Sequence, residues 1–488
     1  MMIRLFAISL CLLATVSAAF AADKRPNLLL LLTDDQRWDT LRCMGNEAIH
    51  TPNLDALAAE GTRFENAFVV TSICAVSRGN ILLGQYASRS GVDDFYTPIN
   101  DEQWQESYPG LLRSAGYRTG FIGKWGVGAT KPEHIEDVRP RFDSWAGFTD
   151  QGNFWHEASC QYVTSNGHCD CPTPEGIKPY QPRLGHEGFK KPVHLTTQII
   201  PDKADTFVAA HSRDRPFCLS ISFKASHAPF QDWDEQFRED YRVNLPQRPT
   251  TNLEEAMRQP KFLRESLEAD FGLGVLENPG HLRSWMRHYY RQIAGIDQAV
   301  GKIRASLKKH DLDSKTVIIF TSDNGYFLGE HGFWGKWLMY EESIRVPFIV
   351  FDPRLPAESR GQVREQMALS IDIAPTLLDV AGLETSSQMQ GKSLHPLLTN
   401  PAFPWRDDWF YEHHFSLPSP MRIEASEGVR NQRWKYIRYI NQDPVYEQLF
   451  DLENDPYETK DLARDPSQEE QLNLLRKRWE TLAKEARR

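Results

Sequence analysis

Pro26-Asn27-Leu28-Leu29-Leu30-Leu31-Leu32-Thr33-Asp34-Asp35 is the stretch from which the architecture can be read. An unbroken apolar run without polar alternation is the pattern of a strand buried on both faces, and the paired aspartates mark where it ends. Runs of the same character recur at Phe217 to Phe223, Val317 to Thr321 and Phe348 to Phe351. Helical patterns lie between them. Thr51-Pro52 opens one with a cap residue and a first-turn proline, and Gly61 closes it after Leu54, Leu57 and Ala58. Strand alternating with helix implies an α/β fold, a large, mostly parallel sheet sandwiched by helices. Past residue 400 the texture changes. Aromatic, alternating segments (Trp409 to Glu412, Val429 to Tyr439) precede a charged helical stretch from about Gln468 to Arg487. That pattern predicts a smaller C-terminal antiparallel sheet subdomain with a terminal helix, so the chain divides into 22–400 and 401–488.

With 488 residues, 40% hydrophobic and 25% charged, the chain has the composition of a folded globular protein. Its 56 Lys and Arg against 66 Asp and Glu leave a net charge of −10, which argues against nucleic acid as a partner. Residues 1–21 read as a signal peptide: Arg4, an apolar run from Leu5 to Val16, then Ala19-Phe20-Ala21 as the cleavage site. No later stretch approaches the ~20 apolar residues of a membrane span. The mature protein is therefore expected to be exported, periplasmic or extracellular. Of the seven cysteines Cys11 falls in the signal. Export permits a disulfide within the cluster Cys160, Cys169, Cys171, whose spacing does not match structural zinc, while Cys218 reads as core.

In parallel sheets ligands bind beyond the C-terminal ends of the strands. Those positions hold Asp34-Asp35, Lys124 after Tyr117 to Gly123, His227 after Phe217 to Phe223, and Asp323-Asn324 after Val317 to Thr321. Taken singly, Asp and Asn there are caps and turn residues. Taken together, three carboxylates and an amide oxygen are the ligand set of a hard divalent cation, calcium or magnesium, without which the carboxylates would repel one another. The segment Thr71-Ser72-Ile73-Cys74-Ala75-Val76-Ser77-Arg78 places Cys74 where a helix begins, with free N–H groups and positive dipole, and Arg78 one turn along. The plainer reading is a buried cysteine beside a surface arginine.

These residues resemble the formylglycine-dependent sulfatases of the alkaline phosphatase superfamily, in particular bacterial polysaccharide and aryl sulfatases. The signature C-x-P-S-R is matched by Cys74-Ala75-Val76-Ser77-Arg78. Thr51 to Asp55, Ser226-His227-Ala228-Pro229, Thr321 to Gly325, Gly329-Glu330-His331-Gly332, Gly335-Lys336-Trp337, Gln390 to Leu394 and Leu449 to Pro456 resemble further landmarks in the same order. The resemblance implies that a formylglycine-generating enzyme oxidises Cys74 to formylglycine, and that one cation, calcium with magnesium as the alternative, is held by Asp34, Asp35, Asp323, Asn324 and the modified Cys74. It also implies that Arg78, Lys124, His227 and Lys336 serve catalysis, residues 22–400 being the catalytic domain. Two positions depart from the pattern. Val76 stands where the family commonly has proline, and Gly126 stands where G-K-W-H-x-G has histidine. His156, His331, His413 and His414 are the candidate replacements for that histidine.

The function implied is that of an exported sulfatase acting on a sulfated sugar or polysaccharide. Trp125, Trp155, Trp334 and Trp337 suit either stacking on sugar rings or the core. The alternatives are a phosphodiester or phosphonate ester hydrolase on the same scaffold, and a catalytically silent sulfated-glycan binding protein.

Overall fold

Eight strands make the central sheet of the computed structural model: β1 (Asn27–Thr33), β2 (Thr62–Phe64), β3 (Arg118–Lys124), β4 (Ser144–Phe148), β5 (Phe217–Ser222), β6 (Thr316–Ser322), β7 (Phe348–Phe351) and β8 (Gln362–Arg364). The structure describes residues 25–128, 135–149, 151–156, 193–211, 214–241, 245–417 and 422–488. The signal segment 1–21 and the cluster Cys160, Cys169, Cys171 lie outside these residues. The strand order is β8-β2-β7-β6-β1-β5-β3-β4. From β6 to β4 all pairings are parallel, whereas β7 runs antiparallel to both β6 and β2. The sheet is thus mostly parallel, as expected. Burial on both faces sets the apolar pattern of Phe348–Phe351 but carries no information on strand direction.

The leucine run of β1 feeds two cores. Leu28, Leu30 and Leu32 pack with Ile81, Leu82 and Leu83 on one face. Leu29 and Leu31 join Leu54, Leu57, Ile293 and Ile296 on the other. The helices concerned are α1 (Pro52–Glu60), α2 (Cys74–Leu83) and α3 (Pro279–Lys309). All seven residues of β1 are buried, which at roughly 1.5–3 kcal/mol per buried leucine makes this strand a major part of the core. Cys218, on β5, is core too, and among the described residues Cys43, Cys74 and Cys218 are free thiols.

Register aligns the strand ends. Thr33 pairs with Ser322, Leu32 with Ser222, and Ser222 with Gly123, so Asp34 and Asp323 emerge level with each other at the same edge where Phe223 and Lys124 end one residue earlier. Gly123 permits this close approach: with φ +97° its absent Cβ would lie 1.9 Å from the Ser222 carbonyl oxygen.

The C-terminal part is a four-stranded antiparallel sheet in the order β9 (Asp408–His413), β10 (Ser426–Asn431), β11 (Trp434–Tyr439), β12 (Tyr446–Asp451). Helix α4 (Glu469–Ala486) covers it, setting Leu472 and Leu475 against Val429, Tyr436 and Leu449. Its edge strand docks on the larger sheet's core through Trp409, stacked on Phe68 at 5.2 Å, and the Glu412 N–H donates to the Val70 carbonyl. Among the described residues no helix is long and apolar enough to cross a membrane.

Candidate active site

The polar groups at the strand ends converge into one buried cluster. Asp34, Asp35, Asp323 and Asn324 are each no more than 1% exposed. Asp35 has φ +58°, an unfavourable conformation for a residue with a side chain, and three contacts hold it there. Its N–H donates to Asp323 Oδ1 (3.2 Å), its carbonyl accepts from the Tyr289 hydroxyl (2.6 Å), and its Oδ1 accepts from the Asn324 amide.

Four cations enclose these acids. Lys124 Nζ donates to Asp34 Oδ2 (2.5 Å) and Lys336 Nζ to Asp35 Oδ1 (2.5 Å). Arg78 donates to Asp323 Oδ2 (2.8 Å) and Asp34 Oδ2 (3.2 Å), and also to the Lys124 carbonyl (2.8 Å) and the Ser222 hydroxyl. Every nitrogen of Arg78 is engaged by the protein, so Arg78 positions the acids and braces the Lys124 backbone. Lys224, 1% exposed, donates to the Ala228 carbonyl at 3.1 Å and lies over the Phe154 ring. Burial, with Lys124 nearby, pushes it down to about 8.

Charge balance is uneven. Burial alone would raise Asp34, yet Lys124, His227, Arg78 and Lys336 together hold it well below the usual carboxylate range. Burial pushes Asp323 up to about 6, with Asp34 adding to the rise, and it raises Asp35 as well. Two oxygens, Asp34 Oδ1 and Asn324 Oδ1, are buried without any hydrogen-bond partner. Acids raised by burial, beside orphaned oxygens, are what a hard divalent cation would satisfy. Asp34, Asp35 and His227 bring ligand atoms within 4.8 Å of one another, and the Asp35 contacts attach Asp323 and Asn324 to that group. The residues present therefore fit such an ion.

His227 is partly exposed. Its Nδ1 lies 2.8 Å from the Ala228 carbonyl, an acceptor only, so the ring proton sits on Nδ1 and Nε2 presents a lone pair 3.8 Å from Asp35 Oδ2. Burial holds its pKa well below the ordinary value, leaving the ring neutral.

Cys74 begins α2. The preceding Ile73 offers no side-chain cap, and the first helical bond runs from the Ser77 N–H to the Ile73 carbonyl, so the N–H groups of the first turn are left for an anionic partner. Cys74 is 2% exposed and close enough to Arg78 and Lys336 to influence both.

The residues read from the sequence as cation ligands and catalytic groups, Cys74, Arg78, Lys124, His227 and Lys336 with Asp34, Asp35, Asp323 and Asn324, thus lie in one place. Others were not foreseen: Lys224, Ser222, Tyr289 and Gln151, whose Oε1 accepts from Lys124 Nζ at 2.7 Å. A lysine directly after a buried strand was a readable signal for Lys224 alone. None of the four histidines considered in place of the one missing at Gly126 contacts Lys124 or Arg78 in a hydrogen bond. His156 meets the Asn153 carbonyl, His331 lies between Glu255 and Glu342, His413 is fully buried on β9, and His414 pairs with Glu427. Trp125 (3%) and Trp334 (6%) are core residues, while Trp155 and Trp337 are partly exposed.

Known proteins give the cluster a context. Residues 26–383 match the family described as Sulfatase, and residues 329–485 match the family described as N-sulphoglucosamine sulphohydrolase, C-terminal. An N-acetylglucosamine-6-O-sulfatase of Bacteroides thetaiotaomicron is 30% identical, covering 92% of this chain and 86% of its own. An arylsulfatase of Clostridium perfringens is 27% identical over 93% of each chain. A solved structure of a protein in complex with its substrate D-glucosamine-2-N,6-O-disulfate superimposes with a TM-score of 0.74 at 24% identity, over 95% of this chain and 98% of that one. With a family match spanning most of its length and the site of an ester hydrolase at its strand ends, this chain belongs to the sulfatase family and is a sulfuric ester hydrolase.

Proposed function

We propose that the protein is an exported, formylglycine-dependent sulfatase that removes sulfate from a sulfated sugar, in the periplasm or outside the cell. The observation that carries this reading is Cys74 at an uncapped helix N-terminus, beside Lys336 and a buried carboxylate cluster that fits a divalent cation. The relatives support the sugar: one is named for N-acetylglucosamine 6-sulfate, and one similar structure holds a glucosamine disulfate.

Oxidised to formylglycine and hydrated, the Cys74 side chain would supply the hydroxyl nucleophile, and loss of the second hydroxyl's proton to a neighbouring base would let the aldehyde re-form with sulfate as the leaving group. Asp34, Asp35, Asp323 and Asn324 would hold the cation, calcium in this reading, which when bound neutralises the acids and polarises the ester. The chain's own groups do the rest. Lys124 and Lys336, fixed by Asp34 and Asp35, oppose the charge that spreads over the sulfuryl oxygens. The N–H groups of the first turn of α2 add fixed positive dipole. His227 presents a lone pair at Nε2, able to take the proton lost by the attacking oxygen and pass it to the departing sugar oxygen.

The test is mass spectrometry of the peptide spanning Cys74, from protein produced together with a formylglycine-generating enzyme, alongside turnover of sugar sulfates by wild type and Cys74→Ala. Aldehyde in the wild type and no turnover by Cys74→Ala are expected. Undiminished hydrolysis by Cys74→Ala would sink the reading, as would preference for a phosphonate monoester over every sulfate ester tried.

A further inference from the structure

Gly126 brings no side chain to Lys124 and Arg78, and a residue beyond the end of a neighbouring strand contacts that lysine instead. A Cβ at position 126 would lie 3.4 Å from Lys124 Cε and 3.1 Å from Arg78 Cδ, so any side chain there would stand beside those two cations. Phe148 is the register partner of Lys124. Three residues beyond it, Gln151 sets Oε1 2.7 Å from Lys124 Nζ.

The chemistry fixes which way this amide points. An ammonium only donates, so the oxygen must face Lys124 and the NH2 must face away. Lys124 has three N–H groups, of which Asp34 takes one and Gln151 another, leaving one. The Gln151 NH2 makes no hydrogen bond to the described residues, and the residue is exposed while Lys124 is fully buried. Gln151 therefore spans from the rim of the site to its innermost lysine, with two unused donors beside the unused N–H of that lysine.

Resting on the sulfatase reading above, we infer that Gln151 is a sulfate-binding residue: Oε1 orients Lys124, and Nε2 donates to a terminal oxygen of the sulfate ester. A carboxamide has no proton to transfer. Its contribution is therefore binding of the tetrahedral anion, equal for substrate and for free sulfate and indifferent to the leaving group, unlike that of an imidazole.

The experiment compares wild type, Gln151→Ala and Gln151→Glu, each produced with a formylglycine-generating enzyme, with inorganic sulfate as the probe. Two quantities are read: the inhibition constant for sulfate during turnover of a sugar sulfate and of an aryl sulfate, and the rise in Tm that sulfate causes. For Gln151→Ala, weakening of sulfate inhibition on the order of 10-fold is expected, with kcat/KM falling by a similar factor on both substrates and the sulfate-induced Tm rise shrinking. Gln151→Glu keeps an acceptor for Lys124 but loses the donors, and is expected to bind sulfate at least as poorly. Sulfate binding and kcat/KM within twofold of wild type in Gln151→Ala would overturn the inference, as would full sulfate affinity in Gln151→Glu. If the wild type hydrolyses no sulfate ester, the hydrolase reading fails by itself. The Tm rise with sulfate still decides on Gln151.

Discussion

Lys336 and Asp35 illustrate how a buried pair serves both stability and chemistry. Both are nearly inaccessible, and their 2.5 Å contact neutralises an acid that burial would otherwise protonate. Removing one partner of such a pair leaves an uncompensated charge, which costs about 3–5 kcal/mol. In Lys336→Met the loss is expected to be large in chelator and smaller in calcium, because a bound ion compensates Asp35. The same variant is expected to lose on the order of 10²–10³ in kcat/KM, the scale for deleting one preorganised contact to developing charge. Thermal melts with and without EDTA, paired with sugar-sulfate kinetics, check both; equal Tm losses in the two buffers would contradict the ion's proximity to Asp35. For the wild type, the orphaned Asp34 and Asn324 oxygens predict a lower Tm after dialysis against EDTA and recovery with calcium. At a concentration 100 times Kd the ion adds about 2.7 kcal/mol.

At the scale of the element, α2 explains how Val76 replaces proline without disturbing the helix. Val76 is the third residue of α2, and helical bonding begins only at the Ser77 N–H, so its own N–H serves no helical bond. Its side chain packs against Ile73 and Ala87, with Phe95, Trp337 and Phe415 partly covering them. Proline is tolerated in a first turn for this reason. Val76→Pro is therefore expected to melt within a few degrees of wild type while restoring the common motif, and quantitative peptide mass spectrometry should show at least as much aldehyde at position 74. A collapse of Tm would mean that the valine packing governs the first turn. The same elements show what a sequence reveals. Leu28 to Leu32 was readable because burial on both faces erases alternation, and Asp34, Asp35, Asp323 and Asn324 were readable because they directly follow such strands. Gln151 was not. It lies three residues past a short strand of ordinary composition, and only the β3–β4 register carries it to Lys124. The full engagement of Arg78 by protein oxygens was equally invisible, since its acceptors come from β3, β5 and the residues just past β1 and β6.

The whole molecule is joined by buried charge where the two sheets meet. Lys435 of β11, fully buried, lies 3.0 Å from Glu341 and 2.6 Å from Glu458, and Arg430 of β10 reaches the same Glu341. Burial pushes Glu458 up to about 7 despite Lys435. Glu268 is the clearer reporter of this seam. It sits next to Leu267, whose N–H donates to the Arg422 carbonyl of the C-terminal part. Burial pushes its carboxyl up to about 7, with the charge of Glu424 adding to the rise, and no ion pair to it is found among the described residues. An unfolded chain titrates this group near the ordinary glutamate value of about 4.3, so between pH 4.3 and 7 the folded state holds a proton that the unfolded state has released. Stability then falls as pH rises across that window and stays lower above it. Glu268→Gln keeps the shape and removes the titration. It is expected to match wild type near pH 4 and to exceed it at pH 8 by up to about 4 kcal/mol, since a tenfold difference in proton affinity between folded and unfolded states corresponds to about 1.4 kcal/mol. Denaturant midpoints across that range check it, and a difference between the two proteins that does not change with pH would show that Glu268 titrates alike in the folded and unfolded states.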